Sequence, residues 1–346
     1  MKTNVKTFAI LNNSRIANIN LINTILLLLL IGLLTSCNSN DDNDQIFDQI
    51  NDGEQLKERI TQNRADNIQT FTLDGETGGE VYGEEGTILN FGPNVFTDAL
   101  GNPVSGQIDI ELMEVYGKAK MALTKLPTNG KRPDGTIETL KSGGEFFINA
   151  TKDGEQLGLA NGFMLFAPTT DLDPEMNLFI GTTEGCDETT EPCDVVWLED
   201  QDTGMEPIQR EGPDGAPVTG YGTFISNFGW TNIDRWYNDP RPKTTLYVDV
   251  PEGFDNTNCN VYVSYDGEPT ALALLDIYDP ETELFSEHYG QIPIGLEIHL
   301  IFVSVQDNEY VYAIQSATIV DNHLEVIGST STATETELIA LINGLP

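Results

Sequence analysis

Ile108-Asp109-Ile110-Glu111-Leu112 places three aliphatic side chains on one side of an extended chain and two carboxylates on the other. Successive side chains of a strand point to opposite faces, so a period of two marks a strand half-buried in a sheet. The same alternation recurs along the chain. Phe146, Ile148 and Ala150 alternate with Phe147, Asn149 and Thr151, and Leu246, Val248 and Val250 alternate with Tyr247 and Asp249. Phe163-Met-Leu-Phe-Ala167 has no polar face and is expected inside a core. Asp98–Val104 and Thr151–Gly154 carry the Asp, Asn, Gly and Pro residues of turns. Apolar runs at Val261–Tyr265, Ala271–Tyr278, Leu296–Val305, Tyr310–Ile319 and Leu324–Ile327 follow, a spacing that suits a sandwich.

The chain closes on Thr334-Glu-Thr-Glu337-Leu-Ile-Ala-Leu-Ile-Asn-Gly344. Thr334 and Glu337 have capping-box spacing and Gly344 is placed as a C-cap, so one short helix should pack Leu338, Leu341 and Ile342 on the last sheet. The fold class expected is mainly β, with two β-sandwich-like domains in tandem and a short C-terminal helix. Patterning thins out between Asp200 and Lys243, where Pro207, Pro213, Pro217, Pro240 and Pro242 punctuate the chain. The partition is therefore a first domain over 67–205, an aromatic and Pro-rich junction over 206–243, and a second domain over 244–346. Residues 38–66 read as an acidic stalk holding at most a short helix, interrupted by Asn51-Asp-Gly53 and marginal alone.

Residues 1–37 have a different character. Lys2, Lys6 and Arg15 precede a ten-residue apolar run, Ile25–Leu34, with no acid before Cys37. A spanning helix needs roughly 20 apolar residues. Ten suit the apolar region of a secretory signal instead. Leu34-Thr35-Ser36-Cys37 then resembles the bacterial lipobox. That resemblance implies diacylation of the Cys37 thiol, cleavage before Cys37, acylation of the new amino terminus, and a lipid bilayer as partner. Asn38-Ser-Asn-Asp-Asp-Asn-Asp44 is similar to the surface-export signal of Bacteroidota lipoproteins. The localisation expected is the outer membrane, at the cell surface or on its periplasmic face.

Three basic residues and no acid lie in that segment, so the rest of the chain sets 14 basic residues against 55 acidic ones. Such a surface repels phosphate backbones and argues against nucleic acid as a partner. Of the other cysteines, Cys186 and Cys193 flank a six-residue acidic loop and are disulfide candidates in an oxidising compartment. Cys259 begins an apolar alternation and reads as a buried thiol, with pairing to Cys186 or Cys193 as the alternative.

Gly79–Gly83, Gly86–Phe96 and Val104–Ile110 together resemble a ZU5-like β-domain, although the family's Pro-x-Gly-Ala turn is Pro93-Asn-Val here. Leu140–Ala150 and Phe228–Asp234 are similar to stretches of Bacteroidota surface lipoproteins. The resemblance covers residues 79–167 and that short segment. It implies a β-sandwich interaction module rather than a catalyst.

Motifs for chemistry are sparse. The histidines His288, His299 and His323 lack metal-ligand spacing, and neither a nucleophile elbow nor a phosphate-cradling loop occurs. Asp200-Gln-Asp202-Thr-Gly204 with Glu211 imitates a calcium loop but has Met205 where Gly is required, so a loosely bound calcium is the most that the acids suggest. Paired carboxylates are too abundant to point to a glycosidase. Trp230, Trp236 and Tyr237 form the densest aromatic cluster. They are either a glycan-stacking platform or the filling of the domain junction. No catalytic residue or metal ligand is assigned. The function expected is a non-enzymatic binding or structural lipoprotein. The alternatives are a glycan-binding accessory of nutrient uptake and a hydrolase with a dispersed site around His299.

Overall fold

The computed structural model describes residues 53–183, 186, 192–212, 215–287 and 290–346. Cys37, the lipobox, the acidic run 38–44 and His288 lie outside the described residues. Residues 50–346 form one compact unit. The architecture is mainly β with three helices among the described residues, α1 (Glu54–Asp66), α2 (Lys118–Thr124) and α3 (Glu335–Asn343). None of these helices is long and apolar enough to cross a membrane.

Among the described residues, four larger sheets and one helical layer stack on three cores, and two two-stranded ribbons complete the sheet inventory. The first sheet has eight strands. Its main path runs Gln69–Asp74, Gln107–Val115, Ile137–Lys152, Gly229–Trp236, Asn177–Thr182, Val196–Glu199 and Asn129–Lys131. The second sheet runs Met205–Glu211, Pro217–Ile225, Phe163–Pro168, Ile88–Phe91 and Gly79–Tyr82. Ile108, Ile110, Leu112, Phe146, Ile148 and Ala150 of the first sheet meet Val81, Leu89, Phe163, Leu165 and Ile225 of the second, closing one sandwich.

The third sheet runs Leu272–Leu274, Cys259–Tyr265, Glu297–Gln306, Glu309–Thr318 and Ser331–Ala333. The fourth runs Ile277–Asp279, Leu284–Ser286, Leu246–Asp249 and His323–Val326. Val261, Val263, Leu300 and Phe302 pack on Leu246, Val248 and Phe285 to close a second sandwich.

The two sandwiches are fused by the remaining core. Met113, Val115, Leu140, Phe179, Trp197 and Trp236 from the first sheet meet the three helices and Tyr262, Leu272, Ile301 and Val303 of the third sheet. The Gln107–Val115 strand records the change along its length. Asp109 and Glu111 are half-buried on its outer face, whereas Met113 and Val115 on that same face are covered completely.

Hydrogen bonds across the seam replace a missing strand. The Leu272–Leu274 strand lies at the edge of its sheet, where unpaired N–H and C=O groups need partners. Thr128 N donates to Leu272 O at 2.8 Å, and Leu272 N donates to Thr128 Oγ1 at 3.0 Å. The Asn129 side chain then acts as a peptide group. Its Nδ2 donates to Leu274 O at 3.1 Å and its Oδ1 accepts from Leu274 N at 2.9 Å.

Several sequence expectations need correction. The stalk expected over 38–66 ends in α1, which is docked into the body. Leu56, Ile60 and Asn63 are buried, and Asn63 Nδ2 donates to Leu123 O at 2.8 Å and to Tyr310 Oη at 2.9 Å. Sparse apolar residues suffice because tertiary packing, not propensity, stabilises most helices. The junction expected over 206–243 is largely regular. Pro217–Ile225 pairs with Phe163–Pro168, and Gly229–Trp236 pairs with Ile137–Lys152, so the first sandwich runs on to Trp236. Met164, expected in a core, is 41% exposed on the outer face of the second sheet. The C-terminal helix has its capping box at Thr334 and Glu337 and buries Leu338 and Ile342. Leu341 instead faces a groove of about 490 Å³ beside Tyr312 and Ile314.

Asn129→Ala leaves the buried peptide groups of Leu274 without their partners. Each orphaned group costs about 1–3 kcal/mol, so the variant should unfold at a clearly lower urea concentration, by about 2–4 kcal/mol in all. An unchanged midpoint would show that the seam does not hold the halves together.

Candidate functional site

Trp230 and Trp236 share one face of the Gly229–Trp236 strand, six residues apart and turned toward the fused core. Trp236 is 6% exposed. Its ring meets Phe179 edge-on at 5.5 Å, the Arg132 guanidinium lies 4.0 Å from its centroid, and Nε1 donates to Glu199 Oε2 at 2.9 Å. Half-buried Trp230 packs on Phe147 at 5.0 Å and under the Arg64 guanidinium at 5.6 Å. Tyr237 meets Tyr265 of the other sandwich edge-on at 4.8 Å. Neighbours occupy all three rings, which do not line up as one exposed platform.

The histidines are also placed by carboxylates. His323 Nδ1 accepts from Val320 N at 2.9 Å and its Nε2 lies 2.7 Å from Glu325 Oε1. His299 Nδ1 lies 2.7 Å from Asp266 Oδ1, and Ser264 and Ser316 sit directly opposite His299 on the two neighbouring strands. A Ser-His-Asp triad needs a hydrogen bond between hydroxyl and imidazole. None joins His299 to either serine among the described residues, and Ser264 is fully buried. Asp266 and His299 thus make a dyad that neither of these serines joins among the described residues.

The calcium-like loop does not converge either. Asp200 accepts from the backbone of Asp202 and Thr203 and from Thr203 Oγ1, which makes a turn. Glu211 lies at the far end of the Met205–Glu211 strand, roughly 20 Å along it from that turn. Among the described residues no three His, Cys, Asp or Glu side chains gather as a metal-ligating group.

Cys186 and Cys193 are joined by a disulfide with their Cα atoms 5.7 Å apart. Cys259 is a buried free thiol that donates to Asp255 O at 3.2 Å, and burial pushes its pKa far up, so it is inert at neutral pH. The Cys193 carbonyl is one of three that hold Arg64 of α1, with those of Thr124 and Lys125.

One constellation was invisible in the sequence. Asn232 stands opposite Glu145 and Asp234 opposite Ser142, with a register shift between Asn232 and Asp234. Glu145 and Asp234 are completely buried at this irregularity. A hydrogen-bonded chain runs from Gly144 N to Ser142 Oγ at 3.1 Å, from Ser142 Oγ to Asn232 Oδ1 at 3.0 Å, and from Asn232 Nδ2 to Asp234 Oδ2 at 2.6 Å. Neither carboxyl oxygen of Glu145 has a hydrogen-bond partner among the described residues. Burial pushes the Glu145 carboxyl well above the usual carboxylate range, nearby Asp234 adds to the rise, and Arg64 opposes it. Burial raises Asp234 as well, against hydrogen bonds from Ser142 and Gly143. Gly144 makes the geometry possible. Its φ is +138°, and a Cβ there would stand 2.6 Å from the Tyr116 ring. The sequence signal was the Gly143-Gly144 doublet before an acid inside an apolar strand, and 55 acids obscured it.

No protein-family model matches the chain, and no curated protein matches it.

The three tryptophans should respond unequally to a quencher. Trp197 and Trp236 are buried and Trp230 is half-buried, so acrylamide should reach chiefly Trp230, and Trp230→Phe should remove most of the quenchable emission. Quenching that survives in Trp230→Phe would place Trp236 at the surface and revive the platform.

Proposed function

We propose that the chain is an exported lipoprotein, held at the outer membrane by acylated Cys37, whose β body serves as a non-enzymatic binding or structural module. Display at the cell surface is the favoured side, with the periplasmic face as the alternative. The observation that carries this reading is the Cys186–Cys193 disulfide, a bond favoured outside the reducing cytosol. It accords with the lipobox-like Leu34–Cys37 and the acidic run behind it. The ZU5-like resemblance adds support for a binding module, because its residues fall on strands of the first sandwich.

The non-enzymatic part rests on the dyad that neither adjacent serine joins among the described residues and on acids sealed from solvent. The glycan-binding alternative draws less support, since Trp236 is enclosed and Trp230 and Tyr237 are half-buried against neighbours. Two acyl chains hold a protein firmly where one gives only marginal binding, so the tether decides location.

Labelled palmitate should enter the full-length chain in its native host, and Cys37→Ser should neither be labelled nor stay with the membrane. Protease treatment of intact cells should release peptides from residues 53–346. Absence of label, or equal fractionation of the two proteins, would end the lipoprotein reading. Turnover of ester, peptide or glycoside substrates that disappears in His299→Ala would end the non-enzymatic one.

A further inference from the structure

Glu145 stands where three parts of the body meet. Its register partner on the neighbouring strand, Val115, belongs to the fused core, and directly opposite residues of an antiparallel pair share a face. The carboxyl therefore points into the layer that holds α1, α2 and the third sheet. Three residues away, Ser142 N donates across the seam to Thr270 O at 3.4 Å. Thr139 Oγ1 to Tyr265 Oη at 2.9 Å, Tyr262 Oη to Ala122 O at 3.0 Å and Lys118 Nζ to Tyr265 O at 2.8 Å tie the same seam.

We propose that Glu145 and Asp234 form a pH-sensitive latch in this layer: the pair holds a proton while the layer is closed, and losing it loosens the first sheet from α1 and the third sheet.

An ionised carboxyl without water or a partner is too costly to persist in such a place, and two of them side by side repel. The charged groups that act on Glu145 are Asp234 on the adjoining strand and Arg64 on α1. Arg64 opposes the rise from a distance but makes no hydrogen bond to Glu145 among the described residues, and its Nε and Nη2 donate to the carbonyls of Thr124, Lys125 and Cys193 at 2.8, 3.0 and 2.8 Å. One proton bound to the pair removes one of its two negative charges and with it the repulsion between the two acids. When the proton leaves to solvent, the carboxylate must find water, and the seam beside it is the nearest route.

The sign follows from linkage. The folded pair binds protons more tightly than the unfolded chain does. Its stabilisation is complete below the ordinary carboxyl value of about 4 and is lost as pH rises through the raised folded value. Surface carboxyls behave in the opposite way. Asp98, whose carboxyl is held low by hydrogen bonds from the Asn102 side chain and backbone, loses its contribution in acid. The latch is thus separable from ordinary acid titration, because its contribution is lost as pH rises rather than as pH falls.

Hydrogen exchange of the folded chain, corrected for the intrinsic rate, tests this between pH 5 and pH 8. Protection in peptides spanning 140–147, 229–237 and 268–275 should fall by up to about tenfold for each pH unit between the ordinary carboxyl value and the raised folded value, and level off above it. Peptides of the second sandwich core, such as 297–306, should change less. Glu145→Gln, equal in size and always neutral, should remove the dependence, and equal slopes in both proteins would overturn the latch. If Glu145→Gln does not fold, the infrared C=O stretch of a protonated carboxyl in the unaltered protein at pH 7 decides instead. Its presence supports the latch. Its absence, or one equivalent of divalent metal retained through gel filtration, shows ionised acids balanced otherwise and overturns it.

Discussion

Two side chains, Thr128 and Asn129, do for the Leu272–Leu274 strand what a neighbouring strand would do, and the rest of the molecule depends on it. An exposed sheet edge invites pairing with another chain, and a buried one must find its partners inside. Here the edge is buried against the other sandwich, and the amide of Asn129 satisfies both backbone groups of Leu274. The contact fixes position as well as energy. Apolar surfaces slide past one another at little cost, but a side-chain amide that both donates and accepts has one register. The fused core can therefore be packed from large rings such as Trp197, Trp236 and Tyr262 without gaps opening between the halves.

The same logic places the first helix. α1 has few apolar residues, yet Asn63 and Arg64 carry five hydrogen bonds from its last turns to carbonyl oxygens and a hydroxyl of other elements. One of those carbonyls belongs to Cys193, so the disulfide steadies an acceptor that the helix uses. A segment with the composition of a spacer becomes part of the body because the body offers it acceptors.

This explains what was and was not legible in the sequence. Alternation at Ile108–Leu112, Phe146–Thr151 and Leu246–Val250 reports a half-buried sheet directly, and the capping box at Thr334 and Glu337 is a local signal read locally. The strands at 205–236 escaped because their small residues imitate loop composition. Gly220 and Gly222 lie under side chains rather than in turns. A Cβ at Gly220 would stand 2.2 Å from Ala167 O, and one at Gly222 would stand 2.6 Å from Ile208 Cδ1. Such glycines mark close approach, which periodicity does not register. The acid pair escaped for a different reason. Locally only the preceding Gly143-Gly144 doublet distinguishes Glu145 from the other acids, since its burial arises from elements far away in sequence.

A buried ionisable pair is weak evidence for stability. Apolar residues of the same size often serve a core equally well or better, whereas an acid with no partner lowers the stability of its surroundings. The Glu145 site carries further conformational constraints, since it needs a register shift, a glycine at positive φ and a three-residue polar chain. An aliphatic residue at 145 would relieve the desolvation without them. Retaining an acid there makes sense if its protonation reports on whether the layer is closed. The position supports that role, because the carboxyl lies between the sheet, the helix bearing Arg64 and the seam sealed by Thr128 and Asn129. A group in the outer sandwich cores would sense the unfolding of one sandwich. A group at this seam senses the joining of two.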